Sequence, residues 1–125
     1  NSDNALKPSK HFLAYNASKA AVLQMARTIA NEFGQYHIRA NSVLPGAVFG
    51  GSNMWTSELR AARAKIHGFD PELLEEEYKK NNALGVIIDP TEIAELVVFL
   101  ASDRSAKMTG NALVIDGGGL GGYVR

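Results

Sequence analysis

Between Phe12 and Phe33, apolar residues recur at helical spacing, with Val22, Met25, Ala26, Ile29 and Phe33 falling along one face. This predicts a long helix with a buried stripe. A second face carries Ala14, Ala17, Ala21 and Ala30, small enough to let another element come close. Gly34 is the expected stop. Ahead of the helix, residues 1–11 are polar, include Lys7-Pro8-Ser9 and predict a loop. Behind it, the run from Ile38 to Leu44 ends at Pro45-Gly46, a short strand followed by a turn. Met54 to His67 has helical, basic character. Asp70-Pro71-Glu72 starts another helix, with Asp as cap and Pro in the first turn, ending near Asn81-Asn82. Asp89-Pro90-Thr91-Glu92 is the sharpest helix start, and Ile93, Leu96, Val97 and Leu100 supply its expected buried stripe. A loop from Arg104 to Gly110 leads to a short apolar strand, Ala112 to Ile115, and a glycine-rich tail.

A long helix feeding a short apolar strand belongs to alternating β/α architecture with parallel strands. The inventory is uneven, with about four helices and only two clear strands. The first helix lacks an incoming strand unless Asn1-Ser2 is its end. Parallel strands need neighbours and covered faces, and a two-stranded parallel sheet is a poor free-standing fold. The expected class is therefore α/β, as half of a doubly wound, Rossmann-like parallel-sheet domain. No internal repeat or linker divides the chain.

Composition removes several classes of function. Thirteen basic and thirteen acidic residues balance in 125, so nothing electrostatic points to nucleic acid or an anionic membrane surface. No stretch approaches the ~20 apolar residues of a membrane span. Without cysteine there is no disulfide and no thiolate metal site, which suits a reducing, cytoplasmic setting. His11, His37 and His67 are scattered singly, so no metal site is expected. The acidic run from Asp70 to Glu77 fits a solvated helix better than a catalytic carboxylate pair. The chain opens on Asn rather than Met, as a fragment or a processed chain does.

The candidate chemistry starts at Tyr15 and Lys19, four residues apart and thus on one helical face. A phenol ordinarily titrates near ~10. A fixed cation beside it favours the phenolate and suits it to acid/base work on a carbonyl or an alcohol. Taken alone, the pair is an ordinary aromatic and a surface lysine. Its company changes that. Ser2 lies thirteen residues before Tyr15, and Asn41-Ser42-Val43-Leu44-Pro45-Gly46, Thr109-Gly110 and Val114-Ile115-Asp116-Gly117-Gly118 follow in order.

In that order and spacing the chain resembles the carboxyl-terminal half of a short-chain dehydrogenase/reductase. The resemblance implies hydride transfer between NAD or NADP and a small-molecule carbonyl or alcohol. Tyr15 would donate or accept the proton and also contact the cofactor. Lys19 would tune it and bond the nicotinamide ribose. Ser2 would stabilise the oxyanion. Pro45, Gly46 and Val48 would meet the nicotinamide carboxamide, Val48 through its main chain. Phe49-Gly50-Gly51 stands where the family often has a threonine, so no side-chain contact to the cofactor is assigned there. Asn41 is expected to be a structural hydrogen-bonder, with Asn16 and Ser18 in supporting places. The long helix would pack on its copy in a homo-oligomer, a dimer or tetramer.

The family's dinucleotide-binding half has no counterpart, so residues 1–125 are expected to be a partial domain, inactive alone. The alternative is a non-catalytic module that keeps only oligomer-forming surfaces. Gly117 to Gly122 contains G-x-G-x-x-G after a strand, but no helix or later acidic residue follows, so it is not assigned as a phosphate loop.

The middle region narrows the substrate. Ala47-Val48-Phe49-Gly50, Met54-Trp55, Gly68-Phe69-Asp70-Pro71-Glu72, Leu74-Glu75-Glu76, Tyr78, Asn81-Asn82 and Arg104-Ser105-Ala106-Lys107 follow in turn. They resemble the dehydrogenase portion of bifunctional rhamnulose-phosphate aldolase/alcohol dehydrogenases, which implies a small hydroxyaldehyde or a sugar-derived polyol. Met54 to Asn82 would form a lid with Trp55 against the pocket. Arg60, Arg63 and Lys65 form a basic face that either is solvated or meets a sugar phosphate.

Overall fold

The structure is a computed structural model that describes residues 1–51 and 53–119. The end of the glycine-rich run, Gly121-Gly122, lies outside the described residues. The elements are α1 (Leu13–Phe33), β1 (Ser42–Pro45), α2 (Ser57–His67), α3 (Leu74–Lys80), α4 (Pro90–Ala101) and β2 (Ala112–Ile115). Asp3–Ala5, Gly34–Tyr36, Pro71–Leu73 and Asp103–Ser105 form 3-10 turns between them.

The two strands pair in parallel, with Ser42 opposite Ala112 and Pro45 opposite Ile115. Their pairing is extended at one end by side chains. Asn41 donates to the Met108 carbonyl at 2.8 Å and accepts from the Asn111 backbone at 3.1 Å. It is thus a structural hydrogen-bonder. The extended run is shorter than the sequence suggests, because Arg39, Ala40 and Asn41 bond to the loop before β2 and not to a strand. Leu44, fully buried, is the centre of β1.

Helix α1 departs from expectation in what it buries. Leu23 and Ala30 are buried, whereas Val22, Met25, Ile29 and Phe33 are all exposed, Met25 at 61%. Ala14, Ala17 and Ala21 are exposed as well. The physical reason is the narrow sheet, since two strands cover only one strip of a 21-residue helix. The stop is also different. Gly34 stays right-handed (φ −58) and continues into a 3-10 turn, and His37 takes the left-handed position (φ 61).

The remaining helices follow their caps. Thr56 accepts from the Leu59 N–H at the start of α2, and Gly68 closes its end in left-handed geometry (φ 79). Asp70 caps the turn that enters α3. Asp89 and Glu92 form a reciprocal capping box on α4. Ile93, Leu96 and Leu100 are partly buried, while Val97 faces out. Arg39 ties the end of α4 to the strands, donating to the Leu100 carbonyl at 2.6 Å and to the Met108 carbonyl at 3.2 Å. None of this network was legible as a spacing pattern.

Candidate active site

Tyr15 is the third residue of α1, and Lys19 follows one turn later. The Lys19 ammonium lies 5.2 Å from the centroid of the Tyr15 ring, within cation–π range. Tyr15 as a whole is 42% exposed. Lys19 makes no ion pair with any described carboxylate. The Ser18 hydroxyl donates back to the Tyr15 carbonyl at 2.7 Å, a local helix bond and not a ligand contact.

The amino-terminal segment folds against this face. Ser2 is buried, but it caps the Asp3–Ala5 turn and does not end a strand. Its hydroxyl accepts from the Asn4 N–H and donates to an Asp3 oxygen, both at 3.2 Å. Ser2 therefore bonds within its own turn and makes no hydrogen bond to Tyr15. What brings its segment to Tyr15 and Lys19 is Asn16, the residue between them. Asn16 donates to the Ser9 carbonyl at 2.8 Å and accepts from the Asn4 side chain at 2.7 Å. Asn1 adds a bond to the Lys19 carbonyl at 3.2 Å. Burial raises the Asp3 carboxyl above the usual carboxylate range, against the opposing pull of Lys7 3.4 Å away.

The third part of the constellation is the loop after β1. Pro45 ends the strand, and the Gly46 N–H donates to the Ile115 carbonyl at 3.0 Å. A β-carbon on Gly46 would lie 3.0 Å from that of Asp116, so the close approach of the two strand ends favours glycine. Val48 bridges to Ile88, which carries the parallel pairing onward. The Trp55 indole donates to the Val48 carbonyl at 2.6 Å. Trp55 also stacks on Phe49 with centroids 4.3 Å apart, and Tyr78 meets both rings edge-on. Burial first of all pushes the Tyr78 phenol up. Trp55 is thus a clamp on Val48, a role its sequence position did not disclose.

These parts lie at the carboxyl ends of parallel strands, where open α/β sheets hold their ligands. A nicotinamide cofactor fits the groups present. The Lys19 ammonium makes no hydrogen bond or ion pair to a described residue, and in the Pro45 to Val48 stretch Trp55 bonds the Val48 carbonyl and the Gly46 N–H bonds the Ile115 carbonyl. Among the described residues no cluster of three or more histidines or carboxylates is placed to hold a metal ion. A shallow, mainly apolar groove on α4, lined by Thr91, Ala94, Val98 and Phe99, shares no residue with this constellation.

Comparison with known proteins accords with that arrangement. The profile of the family described as Enoyl-(Acyl carrier protein) reductase matches residues 1–119. The chain belongs to the short-chain dehydrogenase/reductase family, with its α/β Rossmann-like fold. It is 44% identical over 124 residues to the Bacillus subtilis (strain 168) uncharacterized oxidoreductase YuxG, covering 99% of this chain and 18% of YuxG. It superposes on sorbitol-6-phosphate 2-dehydrogenase SrlD from Erwinia amylovora with a TM-score of 0.87 and 26% identity, covering 100% of this chain and 47% of SrlD. A short-chain dehydrogenase from Mycobacterium paratuberculosis, solved bound to NAD, gives 0.80 and 33%, covering 94% and 42%. The chain therefore spans less than half the length of each.

Proposed function

We propose that this chain supplies the proton-transfer half of an NAD(P)-dependent oxidoreductase acting on a small carbonyl or alcohol. The observation that carries the reading is the Lys19 ammonium over the Tyr15 ring at an open helix end, with the Ser2 segment pinned beside it by Asn16. The bound nicotinamide supplies the hydride chemistry. Tyr15 passes a proton between its hydroxyl and the substrate oxygen. Lys19 supplies the adjacent positive charge that a departing phenolic proton calls for, and it bonds the ribose. Ser2 turns its hydroxyl from Asp3 to the substrate oxygen and stabilises charge there. Pro45, Gly46 and Val48 present backbone to the carboxamide, held in place by the Trp55 clamp.

The substrate class we assign is small hydroxyaldehydes and sugar-derived polyols, as in the dehydrogenase portion of rhamnulose-phosphate aldolase/alcohol dehydrogenases. One comparison supports it: SrlD is, by its name, a sorbitol-6-phosphate 2-dehydrogenase. The reading is of a cytoplasmic enzyme. Its homo-oligomeric form is favoured by the exposed stripe of Val22, Met25, Ile29 and Phe33 on α1, which a second copy would cover.

Specificity constants of the full-length protein test the substrate class. Lactaldehyde or a sugar-alcohol phosphate is expected to be preferred over a steroid and an acyl thioester. Preference for either of the last two overturns the assignment.

A further inference from the structure

Arg63, on α2, is the cation that the constellation leaves unanswered. Its guanidinium carbon lies 3.9 Å from the centroid of the Phe12 ring, a close stack. Its Nε is buried and has no hydrogen-bond partner among the described residues. No described carboxylate pairs with it. Arg60, one turn earlier, shows the contrast, since both of its terminal nitrogens donate to Glu75, the shorter bond at 2.7 Å. The surroundings of Arg63 are positive. The His67 imidazole, one turn further on, is held below its ordinary pKa by burial first, then by Arg63 and His11. Asp3, whose charge reaches Tyr78 as that of Arg63 does, is already engaged by Lys7 and Ser2.

A buried guanidinium donor without an acceptor is rare in folded proteins and calls for an explanation. Its place suggests one. Phe12 is the residue at the entrance of α1, three before Tyr15. Arg63 therefore packs on the residue that opens the helix carrying Tyr15 and Lys19.

We propose that Arg63 determines specificity by holding the anionic end, a phosphate or a carboxylate, of a small polyol or hydroxycarbonyl whose reacting carbon sits at Tyr15. This rests on the oxidoreductase reading above. Packing on Phe12 holds the guanidinium in place, and its terminal nitrogens, which bond no described residue, remain for a planar or tetrahedral anion, which Arg binds through paired hydrogen bonds. Lysine, a rotating point charge, substitutes poorly in such a place.

The test uses the full-length protein with Arg63→Met and Arg63→Lys. Calorimetric titration with inorganic phosphate and with acetate reads the anion site directly, and kcat/KM for sorbitol 6-phosphate against sorbitol, and for glycerate against glycerol, reads its use. Wild type is expected to bind at least one anion and to favour the charged member of the matching pair. Arg63→Met is expected to lose about 30-fold or more in both measurements, with neutral substrates and NAD(H) binding within about twofold. Arg63→Lys, which keeps the stem and the charge, falls between and serves if the Met variant does not fold. Binding of phosphate alone assigns a phosphate end, and binding of acetate alone a carboxylate end. An equal fall for charged and neutral substrates, or no anion bound by wild type, overturns the proposal. Anion binding that depends on Arg63 in a protein that turns over no substrate would sustain the anion site and overturn the oxidoreductase reading instead.

Discussion

In the full-length enzyme, Tyr15→Phe is expected to lower kcat by at least the ~10²–10⁴-fold that general acid/base groups contribute. The substitution removes one oxygen and keeps the ring. That hydroxyl makes no hydrogen bond to a described residue, and the side chain is 42% exposed. Stability should therefore change by no more than about 0.5 kcal/mol, as for surface substitutions generally. Cofactor affinity should fall far less than turnover, because the other contacts assigned to the cofactor lie on Lys19 and the loop after β1. A thermal melt and a cofactor titration beside the rate measurement separate a chemical loss from a structural one. Near-normal turnover with Phe would take Tyr15 out of the mechanism.

Lys19→Met should act on two measurements at once. It removes the cation 5.2 Å from the Tyr15 ring centroid, and it removes the donor assigned to the ribose. Hydrogen bonds to charged groups contribute ~1.5–3 kcal/mol, so cofactor affinity should weaken by roughly 10- to 100-fold. At saturating cofactor kcat should still fall by ~10²-fold or more, since the proton-transfer group has lost its neighbouring charge. The combination distinguishes Lys19 from a residue that only binds. A variant whose kcat recovers fully once cofactor is saturating would leave Lys19 a binding role alone.

Local signals carried much of the fold. The capped starts at Asp70 and Asp89 were legible, because a cap is decided by a few adjacent residues: Asp89 and Glu92 close their box within one turn. The strands were legible as apolar runs, and parallel pairing followed from the helices between them. Burial was not. The Val22 to Phe33 stripe has the period of a core face, but period says only that one side is apolar, not what covers it. The chiral position after α1 went to His37 and not to Gly34, since a 3-10 turn postponed the end of the helix. At the candidate site, Tyr15 and Lys19 could be paired by helical arithmetic. Ser2 could be placed by interval only, and its actual bonds to Asp3 and Asn4 come from a turn no spacing announced. Asn16, Trp55 and Arg63 act through contacts with Ser9, Val48 and Phe12 respectively. Only the last joins separate elements, so it becomes visible only when α1 and α2 are brought together.

The most direct measurement of the central claim is isotope transfer. Full-length protein is incubated with lactaldehyde and reduced nicotinamide cofactor deuterated at the donating ring carbon, and the alcohol product is examined by mass spectrometry. One deuterium on the carbinol carbon is expected with wild type, and at least a ~10²-fold lower rate of its appearance with Tyr15→Phe. Product formed without deuterium, or formed at the same rate by the Phe variant, would contradict the account.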